Sequence, residues 1–226
     1  MTRITKHLVN LQNRISKACE RAGRSVNEVS ILAVSKRHGV DAVHEAHAAG
    51  LTNMGENYLQ EALEKIPQCS QQIAWHFIGR VQANKTRALA ENFDWVQTVD
   101  SQKTARRLSD QRPEHMSPLN VCIQVCIDNS SHGGAAPDEV AELCAQIVAL
   151  PRVTLRGLMA IPLPAVDEKA QRLPLRHLHQ LYTDLQDQGF SLDTLSMGMT
   201  ADLEAAILEG STLLRVGTAL FGQRPE

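Results

Sequence analysis

Short apolar runs alternate with amphipathic stretches along almost the whole chain. Residues 5–22 carry apolar side chains at spacings of three and four, which predicts an N-terminal helix ending at Gly23. Eight apolar runs too short for helices follow, and we predict strands at residues 30–34, 52–55, 74–78, 95–99, 119–127, 155–160, 192–196 and 213–216. Between them, we predict helices at residues 40–49, 58–66, 84–91, 102–110, 138–150, 169–188 and 201–208.

This regular alternation of strand and helix indicates an α/β fold in which helices cover a parallel sheet. Eight such units in 226 residues suit a (β/α)8 TIM-type barrel with an extra N-terminal helix, since these barrels take ~250 residues. The alternative is an open doubly wound sheet, which often has a glycine-rich turn after its first strand. Here the first strand is followed by Ser35-Lys36-Arg37-His38, which favours the barrel. We expect residues 1–226 to form one domain.

Composition and charge argue against several classes of protein. The 23 lysines and arginines balance 25 acidic residues to a net charge of −2, so we expect no nucleic-acid partner. No apolar stretch approaches the ~20 residues of a membrane span, and residues 1–10 lack the apolar core of a signal peptide. Five cysteines without a Cys-x-x-Cys pair argue against disulfides and zinc, and the histidine pairs lack carboxylates at metal-site spacing. We expect a cytoplasmic protein without membrane contact or metal.

Residues that could carry chemistry lie where the predicted strands end, as in barrels of this kind. They are Lys36, Glu56, Asn57, His76, Asp100, Asp128, Asn129, Met159, residues 197–200, Arg215, Gly217 and Thr218. Lys36 is the most informative, because it directly follows the apolar run 31–34 and its stem would start inside the barrel mouth. Desolvation there favours a neutral amine that can form an imine. The alternative is a lysine that extends from a strand end to solvent.

Two loops near the C-terminus combine glycine with a hydroxyl side chain. Gly198-Met199-Thr200 precedes a predicted helix, for which Thr200 is a candidate N-cap, and Gly217-Thr218 follows the last strand. In barrels, the loops after the seventh and eighth strands commonly bind phosphate at a helix N-terminus. Each loop alone is equally consistent with an ordinary tight turn. Together with Lys36, the two loops favour a phosphorylated cofactor.

His76 lies in the apolar segment Trp75-His76-Phe77-Ile78-Gly79, so we expect it on a buried strand near the barrel mouth. It is either a core histidine with satisfied hydrogen bonds or a residue that contacts the cofactor. The sequence leaves both roles open.

Six segments, in order along the chain, resemble one known family. They are residues 32–36 (LAVSK), 55–61 (GENYLQE), 75–79 (WHFIG) with Gln82, Asn84 and Lys85, 155–162 (LRGLMAIP), 196–200 (SMGMT) and 215–222 (RVGTALFG). Together they are similar to the pyridoxal phosphate homeostasis protein family, the YggS/PROSC type. Six ordered motifs from the first strand to the C-terminus are far more specific than any one of them.

The resemblance implies a barrel like the N-terminal domain of alanine racemase, with pyridoxal 5′-phosphate (PLP) held as a Schiff base on Lys36. By the same resemblance, Arg215 would face the pyridine nitrogen. The turns Met199-Thr200 and Gly217-Thr218 would hold the phosphate. The ring pocket would be lined by Asn57, His76 and Met159.

Three features depart from the family pattern. Thr200 stands where the family usually has serine, and it keeps the hydroxyl group. His38 stands where a lysine is common. The segment Ser131-His132-Gly133-Gly134 also lacks a lysine that the family often has before its glycine. Steps in PLP transfer that rely on those two lysines are therefore not implied for this chain.

The resemblance implies a role in intracellular PLP (vitamin B6) homeostasis or delivery rather than catalysis, with PLP-dependent apo-enzymes as recipients. An arginine at the pyridine nitrogen weakens the ring as an electron sink. Neither Tyr58 nor Tyr182, both on predicted helices, offers an evident second proton-shuttling group. The alternatives are a weak PLP-dependent amino acid racemase or lyase, and a sugar-phosphate barrel enzyme without PLP. Since no heptad or large apolar stripe stands out, we expect a monomer.

Overall fold

Eight parallel strands close into a barrel in the computed structural model, which describes residues 2–128 and 133–222. Each strand pairs with the next along the chain, and the first pairs with the last to complete the ring. The strands are β1 (Ser30–Val34), β2 (Asn53–Glu56), β3 (Ala74–Phe77), β4 (Trp95–Val99), β5 (Leu119–Gln124), β6 (Val153–Met159), β7 (Thr194–Ser196) and β8 (Leu213–Val216). The prediction of a TIM-type α/β barrel is therefore confirmed.

Helices follow the strands and form the outer layer of the barrel. They are α1 (Arg3–Ala22), which precedes the barrel, then α2 (Val40–Ala48), α3 (Leu59–Lys65), α4 (Thr86–Asn92), α5 (Gln102–Gln111), α6 (Val140–Val148), α7 (Glu168–Asp187), α8 (Leu203–Leu208) and α9 (Thr218–Phe221). Short 3₁₀ segments lie at Val26–Glu28, Ile66–Gln68 and Pro137–Glu139. The single turn of α9 after β8 has no counterpart among the predicted helices.

α1 confirms the predicted N-terminal helix. It begins at Thr2, whose hydroxyl accepts a hydrogen bond from Thr5 N at 3.3 Å. It ends at Gly23, which has the left-handed φ of 66° that glycine adopts without strain. Its buried stripe consists of Ile4, Leu8, Leu11, Ile15, Ala18 and Cys19. Because α1 packs against α8 and α9, it supports the two helices that follow the glycine–threonine loops.

β5 is shorter than predicted, since it ends at Gln124 rather than near residue 127. Beyond it, Cys126 N donates to Ala135 O at 3.0 Å, and Ala135 N donates back to Gln124 O at 2.8 Å. The chain therefore turns to pair with a later loop segment, which an apolar run alone does not indicate. The predicted positions Asn129 and His132 lie outside the described residues.

α8 begins later than predicted, and Thr200 is not its N-cap. The N-cap is Asp202, whose carboxylate accepts a hydrogen bond from Met199 N at 2.7 Å within the preceding turn. Thr200 Oγ1 instead accepts from Ala219 N, in the first turn of α9, at 3.3 Å. The hydroxyl thus joins the loop after β7 to the loop after β8, a long-range contact that residue type alone does not reveal.

The described ranges also bear on membrane helices, metal sites and disulfides. Within residues 2–128 and 133–222, no helix is both long and apolar enough to cross a membrane. The same ranges contain no group of three or more side chains suited to hold a metal ion. All five cysteines lie in these ranges, and none of them forms a disulfide bond.

Candidate functional site

A cavity of about 240 Å³ opens at the carboxyl ends of the barrel strands. Its wall includes seven of the nine residues predicted to bind a cofactor, namely Lys36, Asn57, Met199, Thr200, Arg215, Gly217 and Thr218. The other lining residues are Val34, His38, Ile78, Ile161, Ala201 and Gly222. Residues from Val34 to Gly222 thus share one small cavity, with an amine, a guanidinium and two hydroxyl groups in its wall.

Lys36 lies in a tight turn that directly follows β1. Ser35 N donates to Gly55 O at 3.0 Å, and His38 N donates to Ser35 O at 3.0 Å. Arg37 has a φ of 61°, a left-handed conformation that is unfavourable for a residue with a side chain. Its N–H donates to the Glu61 carboxylate at 2.8 Å, which holds the turn in that conformation. The backbone on both sides of Lys36 is therefore fixed.

A buried ion pair lies directly behind this turn. Lys65 Nζ donates to Glu56 Oε1 at 2.7 Å and to Ser35 O at 3.0 Å. Ser35 Oγ donates to the same Glu56 oxygen at 2.7 Å. Burial raises the pKa of Glu56 above its ordinary value, although Lys65 opposes this effect. The pair thus anchors both the carbonyl and the hydroxyl of the residue that precedes Lys36.

The loops after β7 and β8 meet on one side of the cavity. Arg215 N donates to Gly198 O at 3.0 Å, and the bond from Ala219 N to Thr200 Oγ1 joins the loops a second time. Gly198 has a φ of 91°, and a Cβ there would lie 2.4 Å from the Cβ of Ala206, so only glycine fits. The hydroxyl groups of Thr200 and Thr218 are thereby brought to the same cavity, where they can donate to an anionic group.

Arg215 lies on the cavity wall with only 4% of its surface exposed. Its guanidinium donates to Ser196 O and Ala160 O, both at 2.7 Å, and to Ser196 Oγ at 2.8 Å. Burial lowers its pKa to about 10, with Asp202 acting in the opposite direction. Arg215 is therefore still a cation at neutral pH, in an orientation fixed by the barrel wall.

Asn57 offers a polar atom that suits a bound molecule. Its Oδ1 is buried and has no hydrogen-bond partner among the described residues, and the side chain lines the cavity. Buried polar atoms in folded proteins are nearly always hydrogen-bonded. The orphaned acceptor, together with the Arg215 guanidinium and the hydroxyl groups of the cavity, fits a small polar ligand that carries negative charge.

The structure does not bring His76 and Met159 to this cavity, which corrects the expectation that both line the ring pocket. His76 pairs in register with Trp95, the first residue of β4, and the two rings stack with centroids 4.9 Å apart. Because barrel strands are staggered, a residue near the end of β3 lies level with the beginning of β4. Met159 is fully buried, and Ile161, two residues nearer the mouth, lines the cavity instead.

His76 lines a second cavity, of about 420 Å³, at the amino ends of the strands. Its ring nitrogens lie within hydrogen-bond distance of Asn53 and Gln97. Complete burial lowers its pKa to about 3, so the imidazole is neutral. Of the two roles left open by the sequence, the structure gives His76 that of a buried core histidine with satisfied hydrogen bonds.

Several residues that line the cavity are not among the nine predicted site residues. His38 lines the cavity and stacks on Phe221, with ring centroids 5.0 Å apart. Ile78 and Ile161 are apolar, so their residue types carry no signal of chemistry. Their positions carry one, because Ile78 lies one residue beyond the carboxyl end of β3 and Ile161 lies two residues beyond that of β6.

We predict that Gly79→Ala damages the cavity through Asn57. A Cβ at Gly79 would lie 2.1 Å from Asn57 O and 2.9 Å from its carbonyl carbon, both of them backbone atoms. Since Asn57 must move, we expect the free energy of unfolding to fall by about 1–3 kcal/mol, with affinity for PLP, the ligand that the sequence resemblance implies, falling by about tenfold. Gly39→Ala is the matched control on the same rim, where nothing lies within 4 Å. Equal stability in urea and equal PLP affinity for the two variants would contradict this prediction.

Comparison with known proteins identifies the class of this barrel. Residues 7–225 match the family described as alanine racemase, N-terminal domain. A structure of PipY from Synechococcus elongatus with PLP bound is 32% identical to the chain, with a TM-score of 0.85, and the match covers 97% of this chain and 100% of that one. The chain is thus a member of the alanine racemase N-terminal domain family.

Curated relatives of nearly the same length narrow the assignment. The pyridoxal phosphate homeostasis protein of Pseudomonas aeruginosa is 50% identical over 226 residues, which cover 99% of this chain and 97% of the relative. The protein of the same name from Escherichia coli is 44% identical over 229 residues, covering 99% and 98% of the two chains. The chain belongs to the pyridoxal phosphate homeostasis protein family, which confirms the resemblance found in its sequence motifs.

Proposed function

We propose that this chain binds PLP as an imine on Lys36 and acts in PLP homeostasis or delivery rather than in catalysis, with residues 1–226 working as one domain. One observation carries the proposal: Lys36, Arg215 and the two glycine–threonine loops, which are far apart in sequence, line the same cavity. The family relatives and the PLP-bound PipY structure support it.

The residues of the cavity fit the chemical groups of PLP. Lys36 supplies the amine for the imine, and Thr200, Gly217 and Thr218 supply the setting for the phosphate. Arg215 would lie against the pyridine nitrogen, and the unpartnered Asn57 Oδ1 would accept a hydrogen bond from the ligand. When bound to an amine, PLP supplies an electron-withdrawing ring. The residues of this chain hold the group in place and determine how strongly the ring acts.

The composition of the wall favours a carrier over an enzyme. Arg215 remains a cation at neutral pH, and a cation beside the pyridine nitrogen disfavours its protonation. The ring is then a weaker electron sink. Proton transfer on both faces of a substrate also requires a second titratable group. Neither tyrosine lies at the cavity, since Tyr58 is on the surface beside Arg37 and Tyr182 is buried with its hydroxyl on Leu192 O.

His38 is the residue on which the alternative function would depend. It lines the cavity together with Lys36, so a weak racemase or lyase would use His38 as the second proton-transfer group. The carrier proposal expects no such use. PLP-dependent apo-enzymes are the proposed recipients, and the proposed state in solution is a monomer.

Turnover and delivery assays separate the two functions. We expect the PLP-loaded protein to convert amino acids no faster than the same concentration of free PLP. We also expect it to restore activity to an apo-enzyme that requires PLP. Turnover well above free PLP, lost in both Lys36→Ala and His38→Asn, would overturn the carrier proposal in favour of the racemase or lyase. His38→Gln keeps a polar side chain of similar length but has no titratable ring. If His38 transfers protons, His38→Gln loses the turnover as His38→Asn does.

A further inference from the structure

A chain of hydrogen bonds crosses the barrel interior from Arg215 to His76. Arg215 Nη1 donates to Ser196 Oγ at 2.8 Å, and Ser196 Oγ donates to Gln97 Oε1 at 2.7 Å. Gln97 Nε2 lies 2.9 Å from His76 Nδ1, and His76 Nε2 lies 3.2 Å from Asn53 Oδ1. The chain therefore joins the proposed PLP cavity to the second cavity at the amino ends of the strands.

The direction of each hydrogen bond follows from the arginine at one end. A guanidinium can only donate, so Ser196 Oγ accepts from Arg215 and gives its single proton to Gln97 Oε1. The amide nitrogen of Gln97 then faces His76, whose Nδ1 must accept. The imidazole proton lies on Nε2 and is donated to Asn53 Oδ1. The full burial of His76 keeps the ring neutral, as this arrangement requires.

Each side chain in this series contributes to the orientation of the one before it, and Arg215 is held in addition by the carbonyls of Ser196 and Ala160. Arg215, Ser196, Gln97 and His76 are all less than a tenth exposed, so a broken bond leaves a buried polar atom without a partner. Rotating His76 removes the acceptor of Gln97, and rotating Gln97 removes the acceptor of Ser196. His76, at the far end of the hydrogen-bond chain from Arg215, stacks on Trp95. The guanidinium is therefore connected to a stacked aromatic pair at the other end of the barrel.

We propose that His76, Gln97 and Ser196 are positioning residues that hold the Arg215 guanidinium in the orientation that meets bound PLP. The inference rests on the proposed function, in which Arg215 contacts the cofactor. It gives His76 a role at the site without any contact with the ligand. A merely structural role for these residues makes a different prediction: their substitution would have the same effect on PLP binding whether or not Arg215 is present.

A double-mutant cycle between His76→Phe and Arg215→Gln tests the proposal. Phenylalanine keeps a ring to stack on Trp95 but removes the acceptor of Gln97. We measure the PLP dissociation constant, the absorbance maximum of bound PLP and the melting temperature without PLP. In protein that retains Arg215, we expect His76→Phe to weaken PLP binding by about tenfold and to shift the absorbance maximum of bound PLP. In the Arg215→Gln background, we expect it to change the dissociation constant by less than about twofold.

Matched variants separate positioning from folding and from the proposed function. His76→Asn returns an acceptor near the Nδ1 position and is expected to restore most of the affinity for PLP. Trp95→Phe leaves the hydrogen-bond chain intact and is expected to retain the affinity for PLP. If His76→Phe does not fold, Ser196→Ala takes its place in the cycle. Equal effects of the His76 substitution in both Arg215 backgrounds overturn the positioning role while leaving the proposed function intact. Failure of the unmodified protein to bind PLP overturns both.

Discussion

Replacing Lys65 by methionine lowers the free energy of unfolding by about 3–5 kcal/mol at neutral pH. Lys65 lies 2.7 Å from Glu56, and the two side chains are 8% and 0% exposed. Glu56 Oε2 already lacks a hydrogen-bond partner among the described residues. Methionine fills similar volume but leaves a buried carboxylate without its counter-ion. Urea unfolding of the cofactor-free protein measures the loss.

The pH dependence of this loss has a defined sign. Burial already raises the pKa of Glu56, and removing Lys65 raises it further, because Lys65 favours the charged form. Folded Glu56 then holds a proton that unfolded Glu56 releases above its ordinary pKa. The Lys65→Met protein therefore loses stability as pH rises through and above the ordinary pKa of glutamate, and it regains stability as pH falls. We expect the loss to be larger at about pH 8 than at about pH 5.

Two further variants identify the cause of the Lys65 effect. Lys103 is an exposed lysine on α5, and Lys103→Met is expected to change stability by no more than about 0.5 kcal/mol. The double variant Glu56→Gln/Lys65→Met removes the uncompensated charge and is expected to recover part of the loss. A Lys65→Met protein as stable as Lys103→Met would contradict the importance of this ion pair.

Lys36→Ala is expected to have the largest effect on cofactor binding. The substitution removes the amine that we propose forms the imine and leaves the other residues that line the cavity in place. We expect the visible absorbance band of bound PLP to disappear and the apparent dissociation constant to rise by about 100-fold, or about 2.8 kcal/mol. Absorbance spectra and equilibrium dialysis measure the two effects.

Lys85→Ala is the matched control for Lys36→Ala. Lys85 also lies at the carboxyl-terminal side of the barrel, where it is the N-cap of α4, but it does not line the cavity. We expect this variant to keep both the band and the affinity. Loss of the band in Lys85→Ala, with retention in Lys36→Ala, would show that the wrong lysine has been assigned.

The fold was predictable because hydrophobic periodicity is a local property. The short run 30–34 and the amphipathic stretch from residue 40 correspond to β1 and α2. Lys36 was predictable at the cavity because it immediately follows a strand, and the carboxyl ends of parallel strands meet at one end of a barrel. The end of β5 was not predictable from its apolar run, since the exchange of hydrogen bonds between Gln124, Cys126 and Ala135 is set by the loop that returns to it.

The misplacement of His76 has a physical reason of its own. Alternation along a strand indicates which side chains face the barrel interior, but not where along the barrel axis they lie. That position depends on the stagger between strands, which appears only when His76 is seen to pair with Trp95 at the start of β4. The contact of Thr200 with Ala219 depends in the same way on tertiary structure. Chain-local patterns therefore identified most of the cavity wall but not the hydrogen-bond chain beneath it.

Borohydride reduction of the PLP-loaded protein, followed by mass mapping of peptides, identifies the lysine that holds PLP. Hydride adds to the carbon of the imine and a proton from water adds to its nitrogen, so a reversible link becomes a stable secondary amine. We expect the visible band to disappear and the phosphopyridoxyl group to be found on the peptide containing Lys36. A group found on Lys65 or Lys85, or protein with neither band nor adduct after incubation with PLP, would contradict the assignment of Lys36.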